Sequence, residues 1–189
     1  QHADRLQYYR RPERWSGAAA KLSQALAEMI QEGIEPAAMI TAPSEVFRQA
    51  PAGAAKLADL GLLYGEYLRF LEGGFLDPSQ CLGAARTMLE RCDWVRGAQL
   101  WVDGFASMSG EETATLIALA RLGERMEITA MVGSDGMSPL FAKTRRTLDE
   151  LERAFVAAGL AVEPPLILQP TPPPRFRTRP ALAGLERRW

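Results

Sequence analysis

Histidine is almost absent from this 189-residue sequence, with His2 the single example. A Ser-His-Asp or Cys-His nucleophile therefore has no base to work with. Cysteine is nearly as scarce. Cys81 and Cys92 stand eleven apart with no CxxC pair, too little for a structural zinc site, an iron–sulfur cluster or a secreted disulfide scaffold. Two buried structural thiols are expected instead. Lysine is confined to Lys21, Lys56 and Lys143, none following a strand-borne acid in the ExK spacing of a metal-dependent nuclease. The sequence has no GxSxG elbow, no GxGxxG after a strand and no GxxxxGK(S/T) phosphate loop. No apolar run approaches the ~18 residues of a membrane span and no signal-peptide pattern opens the sequence, so a cytoplasmic protein without membrane contact is expected. Gln1 at one end and Arg187-Arg188-Trp189 at the other do not resemble natural termini, and a piece of a longer protein is expected.

What is present suffices for a real core, since 47% of the residues are hydrophobic. The net charge of −1 gives no overall attraction to nucleic acid or anionic lipid. It does conceal arginines gathered at both ends: Arg5, Arg10, Arg11 and Arg14, then Arg175, Arg177, Arg179, Arg187 and Arg188. These are either local basic patches or solvated ends.

The first half has the helical period. Leu22, Ala25, Leu26, Met29 and Ile30 recur at three and four residues, with Gly33 as the stop. A short segment bounded by Pro43 and Pro51 follows, with Ser44 as an N-cap. Leu57, Leu60, Tyr64, Leu68 and Leu71 then mark one face of a second helix, closed by Gly73-Gly74. Asp77-Pro78-Ser79-Gln80 reads as N-cap, first-turn proline and capping-box partner of a helix to about Cys92, with Leu82, Ala85 and Leu89 inward.

The texture changes near Ala98. Residues 98–102 (A-Q-L-W-V) form a short apolar run ending in Asp103-Gly104, the pattern of a buried parallel strand. Ser109-Gly110-Glu111-Glu112 is a capping box opening a helix to Gly123. Residues 126–132 (M-E-I-T-A-M-V) are a second strand before Gly133-Ser134-Asp135. Ser138-Pro139 starts a helix with Phe141, Leu148, Leu151, Phe155 and Ala158 on one face and Gly159 as its C′ residue. Leu166, Ile167 and Leu168 are a candidate third strand. The expected fold is α/β: a helical subdomain (residues 1–95), then a partial parallel βαβαβ sheet (96–169). A Pro- and Arg-rich linker (170–189) completes the chain.

Among these features, Leu100-Trp101-Val102-Asp103-Gly104-Phe105 carries the most chemistry. An apolar strand ending in Asp is how a Walker B element holds Mg²⁺ opposite nucleotide phosphates. Motors of the UvrD type have a Glu next, which polarises the attacking water. Gly104 has no side chain for that task, so Asp103 is a vestigial metal position at most, and the plainer account is an ordinary strand-end Asp. Tyr64, Tyr67 and Phe70 are either a base-stacking face or core. Asp149, Glu150 and Glu152 are most simply a solvated helix face.

Taken in order, these segments resemble the AddB (RexB) family, part of the bacterial ATP-dependent helicase–nucleases. Lys56-Leu57-x-Asp59-Leu60-x-x-Leu63-Tyr64-x-x-Tyr67 is similar to the family's K-L-x-D-L-x-x-I-Y-x-x-Y helix, with Asp77 and Leu82 at similar spacing. Trp101-Val102-Asp103-Gly104-Phe105 with Ser109-x-x-Glu112 is similar to its I-D-G-F…T-x-x-E segment, where the acid pair is degenerate. Phe141-x-x-Thr144-x-x-Thr147 and Arg175-Phe176…Pro180-x-Leu182-x-x-Leu185-Glu186 resemble two later segments. The resemblance runs from about Lys56 to the end, and its Pro-rich run is longer than expected. It implies part of a superfamily-one motor, with residues 1–95 as a helicase insertion. It further implies an AddA-type partner subunit, DNA as single strand and duplex end, and ATP and Mg²⁺ for the parent complex, with no cofactor and no catalytic residue in this chain. Two alternatives carry different chemistry: a small α/β nucleotide- or metal-binding protein using Asp103 and Asp135, or a helical protein-interaction module using Tyr64, Tyr67 and Phe70.

Overall fold

The computed structural model describes residues 5–9, 16–41, 50–132, 139–168 and 178–186. His2, Arg10, Arg11, Arg14, Pro43, Ser44, Asp135, Ser138, Arg175, Phe176, Arg177, Arg187 and Arg188 lie outside the described residues, as does the middle of the Pro-rich run. The fold is mostly helical with one small parallel sheet, an α/β arrangement in two compact units. One unit holds residues 1–102 and 107–128, the other residues 103–106 and 129–189.

The first unit is organised by three helices. Helix α1 (Ala18–Gln31) buries Leu26, Met29 and Ile30, three positions on one helical face. It ends at Gly33, where the Ile34 N–H reaches the Met29 carbonyl at 2.9 Å and the Gly33 N–H reaches Ile30 at 3.0 Å. Helix α2 (Pro36–Thr41) is too short to show a period in the sequence, and it buries Met39. Helix α3 (Pro51–Leu71) opens on a proline, whose missing N–H would be unpaired there anyway, and buries Asp59, Gly61, Tyr64 and Leu71. Leu26, Met29, Ile30, Met39 and Tyr64 make the core, each contributing about 1.5–3 kcal/mol by leaving water. Gly61 admits α2 to this core. A Cβ there would stand 3.0 Å from Ile40 Cγ1 and 3.1 Å from the Pro36 carbonyl, so the gap in α3 is filled by its neighbour.

Asp59 is a carboxylate withdrawn from water, 1% exposed. It is matched by three consecutive main-chain donors: the N–H groups of Gln7 at 3.0 Å, Tyr8 at 2.7 Å and Tyr9 at 2.9 Å. Charge-assisted bonds of this kind offset the cost of burying the charge and fix residues 7–9 against α3.

The same unit continues through a 3₁₀ turn (Pro78–Gln80), α4 (Cys81–Met88) and two further 3₁₀ turns to β1 (Gln99–Val102), α5 (Gly110–Leu122) and β2 (Arg125–Ile128). Both expected capping boxes form, Asp77 with Gln80 and Ser109 with Glu112. Strands β1 and β2 pair in parallel, Trp101 opposite Glu127. In the second unit a 3₁₀ turn (Pro139–Phe141) leads into α6 (Ala142–Ala157), which buries Thr144, Leu151 and Phe155. It closes at Gly159, with the Leu160 N–H on the Phe155 carbonyl at 3.0 Å. Helix α7 (Pro180–Glu186) follows.

Several expectations are corrected. Leu166, Ile167 and Leu168 form no strand and are exposed; Pro164 and Pro165 just before them supply no N–H for a ladder. The sheet among the described residues therefore has two strands rather than three. Strand β1 alternates exposed and half-buried positions, with Trp101 67% exposed, because only one face is covered. The second strand stops at Ile128. Helix α4 gives way to a 3₁₀ turn at Leu89 instead of running to Cys92, and Ala85 faces outward. Cys81 is exposed and Cys92 half-buried, since Cys81 falls on the outer side of a short helix.

Replacing Asp59 by Ala leaves three N–H donors unmatched, and the expected loss is about 3 kcal/mol of unfolding free energy. Urea denaturation of the two proteins checks it, and a loss below about 1 kcal/mol would remove Asp59 from its structural role.

Candidate functional site

Strand β1 delivers Asp103 to an exposed turn. The Thr129 hydroxyl donates to Asp103 Oδ1. Gly104 follows in the left-handed region at φ 84°, with nothing near the place a Cβ would occupy. The turn ends at Ala106, whose carbonyl accepts the Thr147 hydroxyl at 3.2 Å, a hydroxyl also 3.1 Å from the Lys143 carbonyl.

Mg²⁺ with ATP requires more than this turn offers. A cation held by one carboxylate completes its octahedron with nucleotide phosphates and a phosphate-loop hydroxyl. The sequence has no such loop, and among the described residues no three His, Cys, Asp or Glu side chains come together. Asp135, the second acid expected at such a crevice, is outside the described residues. Among the described residues this turn does not by itself supply a full ligand set for Mg²⁺.

The three aromatic candidates have separate fates. Tyr64 is buried in the core at 3% exposure, where burial first, then Glu35 and Glu111, push its phenol up. Tyr67 is half-buried and donates to Asp77 Oδ2 at 2.5 Å. Phe70 is exposed and stacks on Phe75, centroids 5.1 Å apart and planes within 8°. They form no common face for a partner or a base. Asp149, Glu150 and Glu152 are exposed, as a solvated helix face would be.

The Tyr67–Asp77 pair is electrostatically tuned. The Tyr67 hydroxyl, then the Ser79 N–H, hold the Asp77 carboxyl below the usual carboxylate range, and the same bond raises the Tyr67 phenol. Beside it lies an open depression of about 330 Å³ bordered by Ile30, Glu35, Tyr64, Leu68, Leu76 and Glu111. Arg86 neutralises Glu111, donating to Oε1 at 3.2 Å and standing 3.1 Å from Oε2. Neither this depression nor the anchoring by Asp59 is visible in the sequence. The partners of Asp59 lie about fifty residues away, and Asp59 falls off the apolar face marked by Leu57, Leu60, Tyr64, Leu68 and Leu71, so the sequence gives no local signal of its burial.

Comparison with known proteins gives a consistent result. The family model described as "ADDB, N-terminal" matches residues 1–186. The chain is 35% identical over 179 residues to an ATP-dependent helicase/deoxyribonuclease subunit of Moorella thermoacetica, covering 90% of this chain and 16% of that protein. It is 32% identical over 196 residues to the protein of the same name from Heliobacterium modesticaldum, covering 98% of this chain and 16% of the relative. That from Symbiobacterium thermophilum is 36% identical over 142 residues, 70% of this chain and 12% of its own length. The chain thus spans about a sixth of the length of the curated relatives it matches.

Asp77 has its folded pKa lowered, so the stability its charge provides is present above the ordinary carboxylate value and is lost as pH falls through the lower, folded one. Tyr67→Phe removes the leading cause. The expected result is an acid-unfolding midpoint moved to higher pH and about 1 kcal/mol less stability at neutral pH. Circular dichroism against pH for both proteins checks it; coincident acid transitions would show that the pair contributes nothing.

Proposed function

The chain belongs to the AddB N-terminal family, and from this premise we propose that it forms part of the helicase-like region of an AddB-type subunit. The parent protein would act, with an AddA-type partner, in an ATP-dependent helicase–nuclease that processes broken DNA in the bacterial cytoplasm. In this reading residues 1–95 are a helical insertion, residues 96–169 the motor-like part, and residues 170–189 a linker. The chain supplies scaffold and a surface of the DNA channel, facing single strand and duplex end. ATP and Mg²⁺ are requirements of the parent complex, and no cofactor is assigned to this chain.

The observation that carries the reading is the end of β1. An apolar strand leads to Asp103, the place of a motor's metal-holding acid, and the next position is Gly104 in a left-handed turn. A carboxylate that could polarise water is missing from the place where a working motor has one. The half-covered parallel sheet agrees with this, because parallel strands are ordinarily covered on both faces and Trp101 is 67% exposed. Among the described residues no helix is long and apolar enough to cross a membrane.

The reading is tested on the purified chain. The expected outcome is no ATP turnover above background with Mg²⁺ and single-stranded DNA, and only weak oligonucleotide binding that falls steeply between about 50 and 200 mM salt. A malachite-green phosphate assay and fluorescence anisotropy are the measurements. Sustained, DNA-stimulated turnover would sink the proposal.

A further inference from the structure

We infer that Asp103 is a positioning residue, whose carboxylate anchors the turn at residues 103–106 by accepting the Thr129 hydroxyl. At the other end of the same turn the Thr147 hydroxyl reaches the Ala106 carbonyl at 3.2 Å, its one proton shared with the Lys143 carbonyl at 3.1 Å. Residues 103–106 all class as exposed, with Phe105, at 43% exposure, the one large apolar side chain that is partly covered. Gly104 has no side chain to contribute, and its left-handed backbone is the most permissive point of the turn. Two threonine hydroxyls, one just past β2 and one on α6, meet the first and last residues of the turn. Both anchors lie within one compact unit, where residues 103–106 group with residues 129–189 and not with the strand they follow.

This assignment gives a task to the acid that the nucleotide chemistry leaves idle, and it gives Thr147 a reason to stand where it does on α6. An acceptor engaged by a hydroxyl needs only an oxygen, whereas a cation ligand needs the negative charge. The two roles therefore respond differently to conservative changes. The inference rests on bonds inside the second unit and stands or falls separately from the family-based function.

The test uses the full chain and limited chymotrypsin digestion, following cleavage after Phe105 by mass spectrometry. Phe105 lies in the turn at 43% exposure, and cleavage after the exposed Trp94 serves as an internal reference for general destabilisation. Loss of one such hydrogen bond is worth about a five- to tenfold rise in the Phe105-to-Trp94 cleavage ratio. Asp103→Ala and Thr129→Val are each expected to give that rise, and the double variant no more than either alone. Asp103→Asn and Thr129→Ser, which retain acceptor and donor, are expected to behave as the parent. A silent Thr129→Val, a double variant whose effects multiply, or an Asp103→Asn as labile as Asp103→Ala would each overturn the assignment. So would calorimetric Mg²⁺ binding that Asp103→Asn abolishes and Thr129→Val leaves intact.

Discussion

A charge buried without water must be answered by the protein, and Asp59 is answered by three main-chain N–H groups of residues 7–9. That match sits on α3, which also carries Gly61, Tyr64 and Tyr67. From the same helix Gly61 lets α2 approach, Tyr64 fills the space beside Met29 and Ile30, and Tyr67 reaches the Asp77 cap that begins the next segment. Polar and apolar contacts are thus interleaved along one helix. An apolar residue at 59 would lose the anchor of residues 7–9, and a larger residue at 61 would push α2 away. The unit is specified by where α3 is not apolar as much as by where it is.

How much of this is legible in the sequence depends on range. The capping boxes at Asp77 and Ser109, the faces of α1, α3 and α6, and the stops at Gly33 and Gly159 are local patterns, set by residues a few turns apart at most, and all can be read. Helix α2 cannot, because six residues carry too little period and its burial depends on a gap in another helix. Leu166, Ile167 and Leu168 look like a strand by composition, yet a strand also needs an edge to pair with, which composition does not report. Cys81 misleads for a related reason, since a residue type common in cores says nothing of which side of a short helix it will occupy. The candidate site is half legible: Asp103 at the end of β1 can be read from an apolar run, but its hydroxyl donor twenty-six residues away cannot.

Matching relatives are named for a helicase and deoxyribonuclease of which this chain covers about a sixth of one component. Among the described residues, the strand-end turn carries one carboxylate, Asp103, where phosphate hydrolysis would call for a set of ligands. Hydroxyls of Thr129 and Thr147 meet both ends of that turn, at Asp103 and Ala106.

At Gly104 the backbone lies at φ 84°, a conformation that side-chain-bearing residues enter at a cost of about 1–2 kcal/mol. A side chain placed at this position would either carry that cost or relax the turn, and relaxation would pull against the Thr129 and Thr147 hydroxyls. The turn therefore selects glycine through its backbone conformation and not through crowding, since the place of a Cβ at residue 104 is open.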